Sequence, residues 1–98
     1  MSSPVVEGFL FDEVNEEKFS MHGLSYRPVL QILDDECHGE YHMVRNRRRR
    51  RGLYLLIGRD HGGQRIAVPI EPTHDPTVWR PITAWPCKQS ELRQLERE

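Results

Sequence analysis

Long apolar stretches are missing from this 98-residue chain; the longest uninterrupted one runs from Leu53 to Ile57. A membrane-spanning helix needs about 20 apolar residues, so no membrane partner is expected. Cysteine is scarce, with only Cys37 and Cys87. Two thiols exclude a disulfide scaffold and fit a reducing, cytoplasmic setting. Met1 to Glu7 has neither a basic start nor an apolar segment. No signal peptide is expected there, and the stretch reads as a loose leader. Catalytic signatures are lacking as well: there is no phosphate-cradling P-loop, no G-x-S-x-G and no H-E-x-x-H. Cys37-His38 with His42 is the one grouping of thiol and imidazole, and it has no second ligand pair. A structural zinc site needs four spaced ligands, so neither metal nor cofactor is expected.

What the chain has instead is arginine. Lys+Arg total 14 against 15 Asp+Glu, for a net charge of -1. Only Lys18 and Lys88 are lysine. Arg45 and Arg47 to Arg51 place six positive charges within seven residues. Without them, 8 basic residues face 15 acidic ones, a balance of -7. An acidic body therefore carries one concentrated basic segment. The planar guanidinium donates two parallel hydrogen bonds and suits phosphate. Arg45, Arg47, Arg48, Arg49, Arg50 and Arg51 thus read as nucleic-acid-binding. Two other readings stand beside that one: a docking strip for an acidic partner, and a solvated loop that serves solubility or binds the acidic body.

At 11.6 kDa the chain makes a single domain over residues 1–98, burying roughly 60–70% of its unfolded surface. Hydrophobic residues are 37% and the mean hydropathy is -0.70, but the apolar residues sit in short runs that argue against wholesale disorder. Phe9-Leu10-Phe11 suggests an edge strand or a staple. Asp12 is a good N-cap for a helix to His22, with Gly23 as its left-handed C-terminal cap. Ser25 opens a second helix, whose Tyr26, Val29, Leu30 and Leu33 form an amphipathic stripe. Tyr41 to Arg45 and Gly52 to Arg59 read as strands. Asp60-His61-Gly62-Gly63 is a hairpin turn, and Gln64 to Ile70 returns from it. Pro69 lacks an amide donor, which points to an edge or bulge. Val78 to Trp85 is a further strand, and Pro86 to Glu98 a C-terminal helix. The order predicts an α+β fold: two N-terminal helices on a three- to four-stranded antiparallel sheet, plus that last helix.

Four segments carry a resemblance. Phe11-Asp12-Glu13 with Asn15 is followed by His22-Gly23-Leu24-Ser25-Tyr26; later come Leu55-Leu56-Ile57-Gly58-Arg59 and Arg80-Pro81-Ile82-Thr83-Ala84. In order and spacing they resemble the BrnT family, toxins of bacterial type II toxin–antitoxin pairs. Phe11 stands where the family has tryptophan, and Trp85 where it commonly has arginine. The resemblance implies a RelE-like fold and a ribonuclease that cuts messenger RNA and is silenced by a cognate antitoxin.

Metal-free RNA cleavage needs a base for the 2′-hydroxyl, cations for the charged phosphorane and an acid for the leaving oxygen. Arg59 and Arg80 are candidate clamps on the phosphate, with surface salt bridges as the alternative. Histidine can both give and take a proton, which makes His22 a candidate acid or base; the alternative is a polar helix-end residue facing the last carbonyls. Lys18 lies one turn before His22 on the same helical face. Trp85 is a candidate platform for a base, since every base offers a π-face. Its alternative, like that of Trp79, Tyr54 and Tyr41, is core packing.

Overall fold

Residues 5–34, 42–45 and 54–90 are described in the computed structural model. The elements are β1 (Gly8–Phe9), α1 (Glu13–Met21), α2 (Tyr26–Gln31), β2 (His42–Arg45), β3 (Tyr54–Arg59), β4 (Arg65–Pro72), β5 (Val78–Pro81) and β6 (Trp85–Pro86). This is a small α+β fold with two helices on a sheet.

Local chemistry explains where α1 starts and stops. The Asp12 carboxylate accepts from the Asn15 amide at 2.8 Å, and the Asn15 side chain accepts from the Asp12 amide at 2.9 Å. This reciprocal capping box satisfies two of the donors a helix start leaves open. At the other end Gly23 takes φ +74°, and its amide donates to the Ser20 carbonyl. Only glycine adopts that backbone without strain, so the H-G pair ends the helix.

The sheet order is β1-β5-β4-β3-β2, with β6 pairing β4 beside β5. The expected three or four antiparallel strands are therefore six, and the sheet is mixed, because β1 runs parallel to β5 through Gly8↔Val78 and Phe9↔Trp79. Phe9-Leu10-Phe11 does open on an edge strand. The predicted strand Val78 to Trp85 is two strands. β5 pairs Ile70 to Pro72 and β6 pairs Ile66 and Ala67, leaving 82–84 as a gap. Pro69 sits opposite that gap and is fully buried, not at an edge. Its carbonyl accepts from the Ile82 amide at 2.8 Å. A strand residue's N and C=O point the same way, so the missing donor of Pro69 faces the irregular stretch, where no ladder bond is lost.

Partnered residues share a face. Met43, Leu56, Val68 and Ile66 line one side with Ile70 and Trp79; Phe19, Leu24, Val29 and Ile32 of the helical layer pack on them. Each such burial stabilises the fold by roughly 1.5–3 kcal/mol. Phe11 joins the layers, its ring 6.0 Å from Phe9 of β1, 6.0 Å from Phe19 and 5.8 Å from Tyr26. Ile57 and Ala67 alternate with the core residues and are also buried, so β4 is covered on both faces.

Three further expectations need correction. The second helix buries Val29 and the following Ile32 completely, while Tyr26 and Leu30 stay about two-fifths exposed. The helix ends at Gln31, so the stripe extended to Leu33 outruns it. The leader is not loose from residue 5 onward: Val6 is buried, the Glu7 amide donates to Thr77, and Trp79 Nε1 donates to the Val5 carbonyl at 3.2 Å. Pro86, expected to open the last helix, lies in β6. The greater part of that helix, 91–98, falls outside the described residues. No helix among the described residues is long and apolar enough to cross a membrane.

Candidate functional site

Arg80 leaves the middle of β5 and meets two carboxylates. Its Nε donates to Asp12 Oδ2 at 2.7 Å and its Nη1 to Glu71 Oε1 at 3.1 Å. Glu71 is its cross-strand partner in β4, and Asp12 is the cap of α1. One Asp12 oxygen thus closes the helix while the other holds the strand. The hydrogen bond from Arg80, then the Asn15 amide, keep the Asp12 carboxyl below its usual range, and the same bond raises Arg80. Asn15 completes the joint. It is fully buried and donates through Nδ2 to the Leu10 and Pro81 carbonyls, both at 3.0 Å. Arg80 is therefore a tie between helix and sheet, and its charge is matched where it stands.

Arg59 closes β3 directly opposite Arg65, the first residue of β4. Arg80 lies opposite Glu71, six residues further along β4. At about 3.3 Å per residue the two sequence-predicted clamps are about 20 Å apart along the strand. The fold does not bring them to one phosphate.

The Arg59 end gathers other groups. The Asp60–Gly63 turn forms as expected: the Asp60 amide donates to Gln64 and its carboxylate accepts from the Gln64 amide, with Gly63 at φ +85°. The turn is tied to α2, since the His61 amide donates to Gln31 Oε1 at 3.0 Å and His61 Nε2 lies 2.5 Å from Asp34 Oδ2. Trp85 stands opposite Ala67, two residues along β4 from Arg65. The His22 ring, at the C-terminal cap of α1, lies 6.2 Å from the Trp85 ring, tilted by 57°. Lys18 is exposed one helical turn earlier. The Cys87 amide donates to the Arg65 carbonyl, which sets Lys88 beside this row.

Register therefore places Arg59 and Arg65 at the same end of the sheet as Trp85, which the His22 ring meets, with Lys18 along α1, and leaves Arg80 further along β4. Arg45 ends β2 opposite Tyr54, toward the other end of β3. Arg47 to Arg51 lie outside the described residues. Sequence reasoning missed Arg65; the signal available was the hairpin itself, whose five connecting residues, 60–64, make positions 59 and 65 partners. It also missed the joint made by Asn15, although the D-x-x-N spacing of a capping box was visible. Among the described residues no group of three or more His, Cys, Asp or Glu is placed to hold a metal. The chain matches no family model, no curated protein and no solved structure.

Proposed function

We propose that the chain is the toxin of a type II toxin–antitoxin pair, an endoribonuclease of BrnT type and RelE-like fold. It acts on messenger RNA in the cytoplasm and is held silent by a cognate antitoxin. The observation that carries this reading is the His22–Trp85 contact beside the Arg59–Arg65 pair. It supplies an imidazole, a stacking surface and two cations at one end of the sheet. In the reaction the ribose 2′-oxygen bonds to phosphorus as the bond from phosphorus to the 5′-oxygen breaks. A proton leaves the 2′-hydroxyl and one reaches the departing 5′-oxygen. The products are a 2′,3′-cyclic phosphate and a 5′-hydroxyl. His22 carries a proton in this exchange, Arg59 and Arg65 offset the phosphorane charge, and Trp85 stacks on a neighbouring base. Arg45 and Arg47 to Arg51 hold the flanking RNA. Arg80, assigned to the phosphate by sequence, serves the fold instead. Inducible expression with and without a neighbouring antitoxin tests the proposal: growth arrest and shortened transcripts, relieved by the antitoxin, are expected. Unchanged growth and intact transcripts while folded protein accumulates refute it.

Two observations favour a second reading. Arg80 is engaged by two carboxylates, and position 85 is tryptophan where related toxins commonly carry arginine. On this reading the chain binds RNA or a protein and cuts nothing. Purified protein that binds RNA with steep salt dependence and leaves it intact selects this reading.

A further inference from the structure

Arg59 and Arg65 are direct cross-strand partners at the hairpin end of β3 and β4. Side chains so opposed share a face, with Cβ atoms about 4.5–5.5 Å apart, and like charges placed there destabilise a sheet. The protein has 15 carboxylate side chains, and Arg80 holds two of them. Arg65 is partly buried and meets none among the described residues. Asp60, the acid next to the pair in sequence, uses its carboxylate on the Gln64 amide at 2.9 Å. Trp85 belongs to the same face. It stands opposite Ala67, which lies two residues along β4 from Arg65, and residues two apart in a strand point the same way. Trp85 is thus set off from Arg65 by about 7 Å along the strand and one strand spacing, about 4.8 Å, across it. Ile57 and Ala67 on this face are fully buried, whereas Arg59, Arg65 and Trp85 are each partly exposed. A ligand here therefore meets the rim of the face: two guanidinium forks and an indole.

We propose that this rim binds a nucleoside monophosphate, its phosphate between Arg59 and Arg65 and its base on Trp85. A phosphomonoester carries a charge of about −1.5 to −2 at neutral pH and three terminal oxygens. That charge offsets both arginines, and the oxygens supply acceptors to both forks. The diester inside an RNA strand carries a single charge and leaves the pair half matched. The indole selects a nucleotide over inorganic phosphate, because any base can stack on it. A phosphorylated protein side chain has no base to place there. The same chemistry occurs in a free nucleotide and at the phosphorylated end of an RNA. This binding goes beyond the nuclease reading and does not depend on it. On that reading the ligand takes the place of the scissile phosphate and slows cleavage.

The test is an NMR titration of the full, isotope-labelled chain with adenosine 5′-monophosphate. Separate titrations use inorganic phosphate, adenosine, and the adenine deoxydinucleotide, whose one phosphate is a diester and which lacks the attacking hydroxyl. The monophosphate should shift the amides of residues 58–59, 65–67 and 85 together with the Trp85 indole. It should bind about tenfold more tightly than each of the other three. Adding a 5′-phosphate to the deoxydinucleotide should restore the affinity. Tighter binding than the free nucleotide then assigns the site to a nucleic-acid end, and weaker binding to the nucleotide itself. Arg65→Ala should weaken the monophosphate about tenfold, and Arg65→Lys, which keeps the charge and loses the fork, should fall between. Trp85→Leu should abolish the advantage of the nucleotide over inorganic phosphate. Circular dichroism checks that each variant is folded, and the wild-type comparison stands without them. The proposal is overturned by no binding of the monophosphate, by equal binding of the diester or of inorganic phosphate, by shifts centred elsewhere, or by a folded Arg65→Ala that binds as the wild type does. No cleavage is read, so a chain that never cuts RNA leaves the result standing. A failed titration likewise leaves the nuclease reading to its own test.

Discussion

Replacing Asn15 by alanine should cost more than any exposed substitution in α1. The side chain is fully buried and makes three hydrogen bonds: to the Leu10 carbonyl, to the Pro81 carbonyl and from the Asp12 amide. Truncation leaves all three partners behind. A buried group without a partner costs about 1–3 kcal/mol, and a partly hydrated one about 1 kcal/mol. The Pro81 bond is wholly buried and the other two are partly so. The loss should be about 3 kcal/mol, a large part of the 5–15 kcal/mol typical of a domain. For a chain this size that corresponds to a fall in Tm of about 12–24 °C. Asn15→Asp keeps the acceptor oxygens but loses both donors, so it should be destabilised as well. Urea unfolding followed by circular dichroism measures the effect. A loss below about 1 kcal/mol for Asn15→Ala would refute the view that this residue joins α1 to the sheet.

Arg80→Met should raise the Asp12 pKa toward the ordinary aspartate value, seen in a carboxyl titration by NMR. Asp75, whose lowered pKa comes from the Thr77 amide and hydroxyl, should not move. The sign follows from linkage. A carboxyl depressed in the fold stabilises it above the unfolded pKa, and that stability fades as pH falls through the folded value. The variant should therefore lose a share of the wild type's acid sensitivity. Gly23→Ala should cost about 1 kcal/mol through the left-handed backbone alone, since no atom lies within 4 Å of the added Cβ. Gly23→Asn should cost less, and thermal unfolding ranks the two. Arg65→Ala should lower the slope of log affinity for RNA against log salt by about one; an unchanged slope removes Arg65 from the interface.

The parts of the fold that depend on neighbours in sequence were legible. The Asp12 cap, the His22-Gly23 stop, the Asp60–Gly63 turn and the β3–β4 pairing all follow from residues within a few positions of one another. The parts set by distant contacts were not. Nothing local says that Gly8 and Phe9 run parallel to Val78 and Trp79, or that Val5 accepts a bond from the Trp79 indole. The break at 82–84 had a local sign in Pro81, but the change of partner along β4 did not. Ile32 rather than Leu30 fills the core because it keeps helical backbone angles and lies three residues after the buried Val29, on the same face. At the site, residue type alone made Arg59 and Arg80 look equivalent. Register separates them, and two carboxylates engage one of them. His22 and Trp85, 63 positions apart, were each noted in sequence, but their contact is a product of the fold.

Transcript cleavage by purified protein tests the account most directly, with wild type, His22→Ala and Arg65→Ala compared at equal folded concentration and without added metal. The account predicts cleavage by the wild type to cyclic-phosphate ends. It predicts a loss of roughly a hundredfold or more for His22→Ala, the usual contribution of a positioned acid or base. It also predicts a clear loss for Arg65→Ala. A wild type that leaves RNA whole, or two variants that cut as fast as it does, would contradict it.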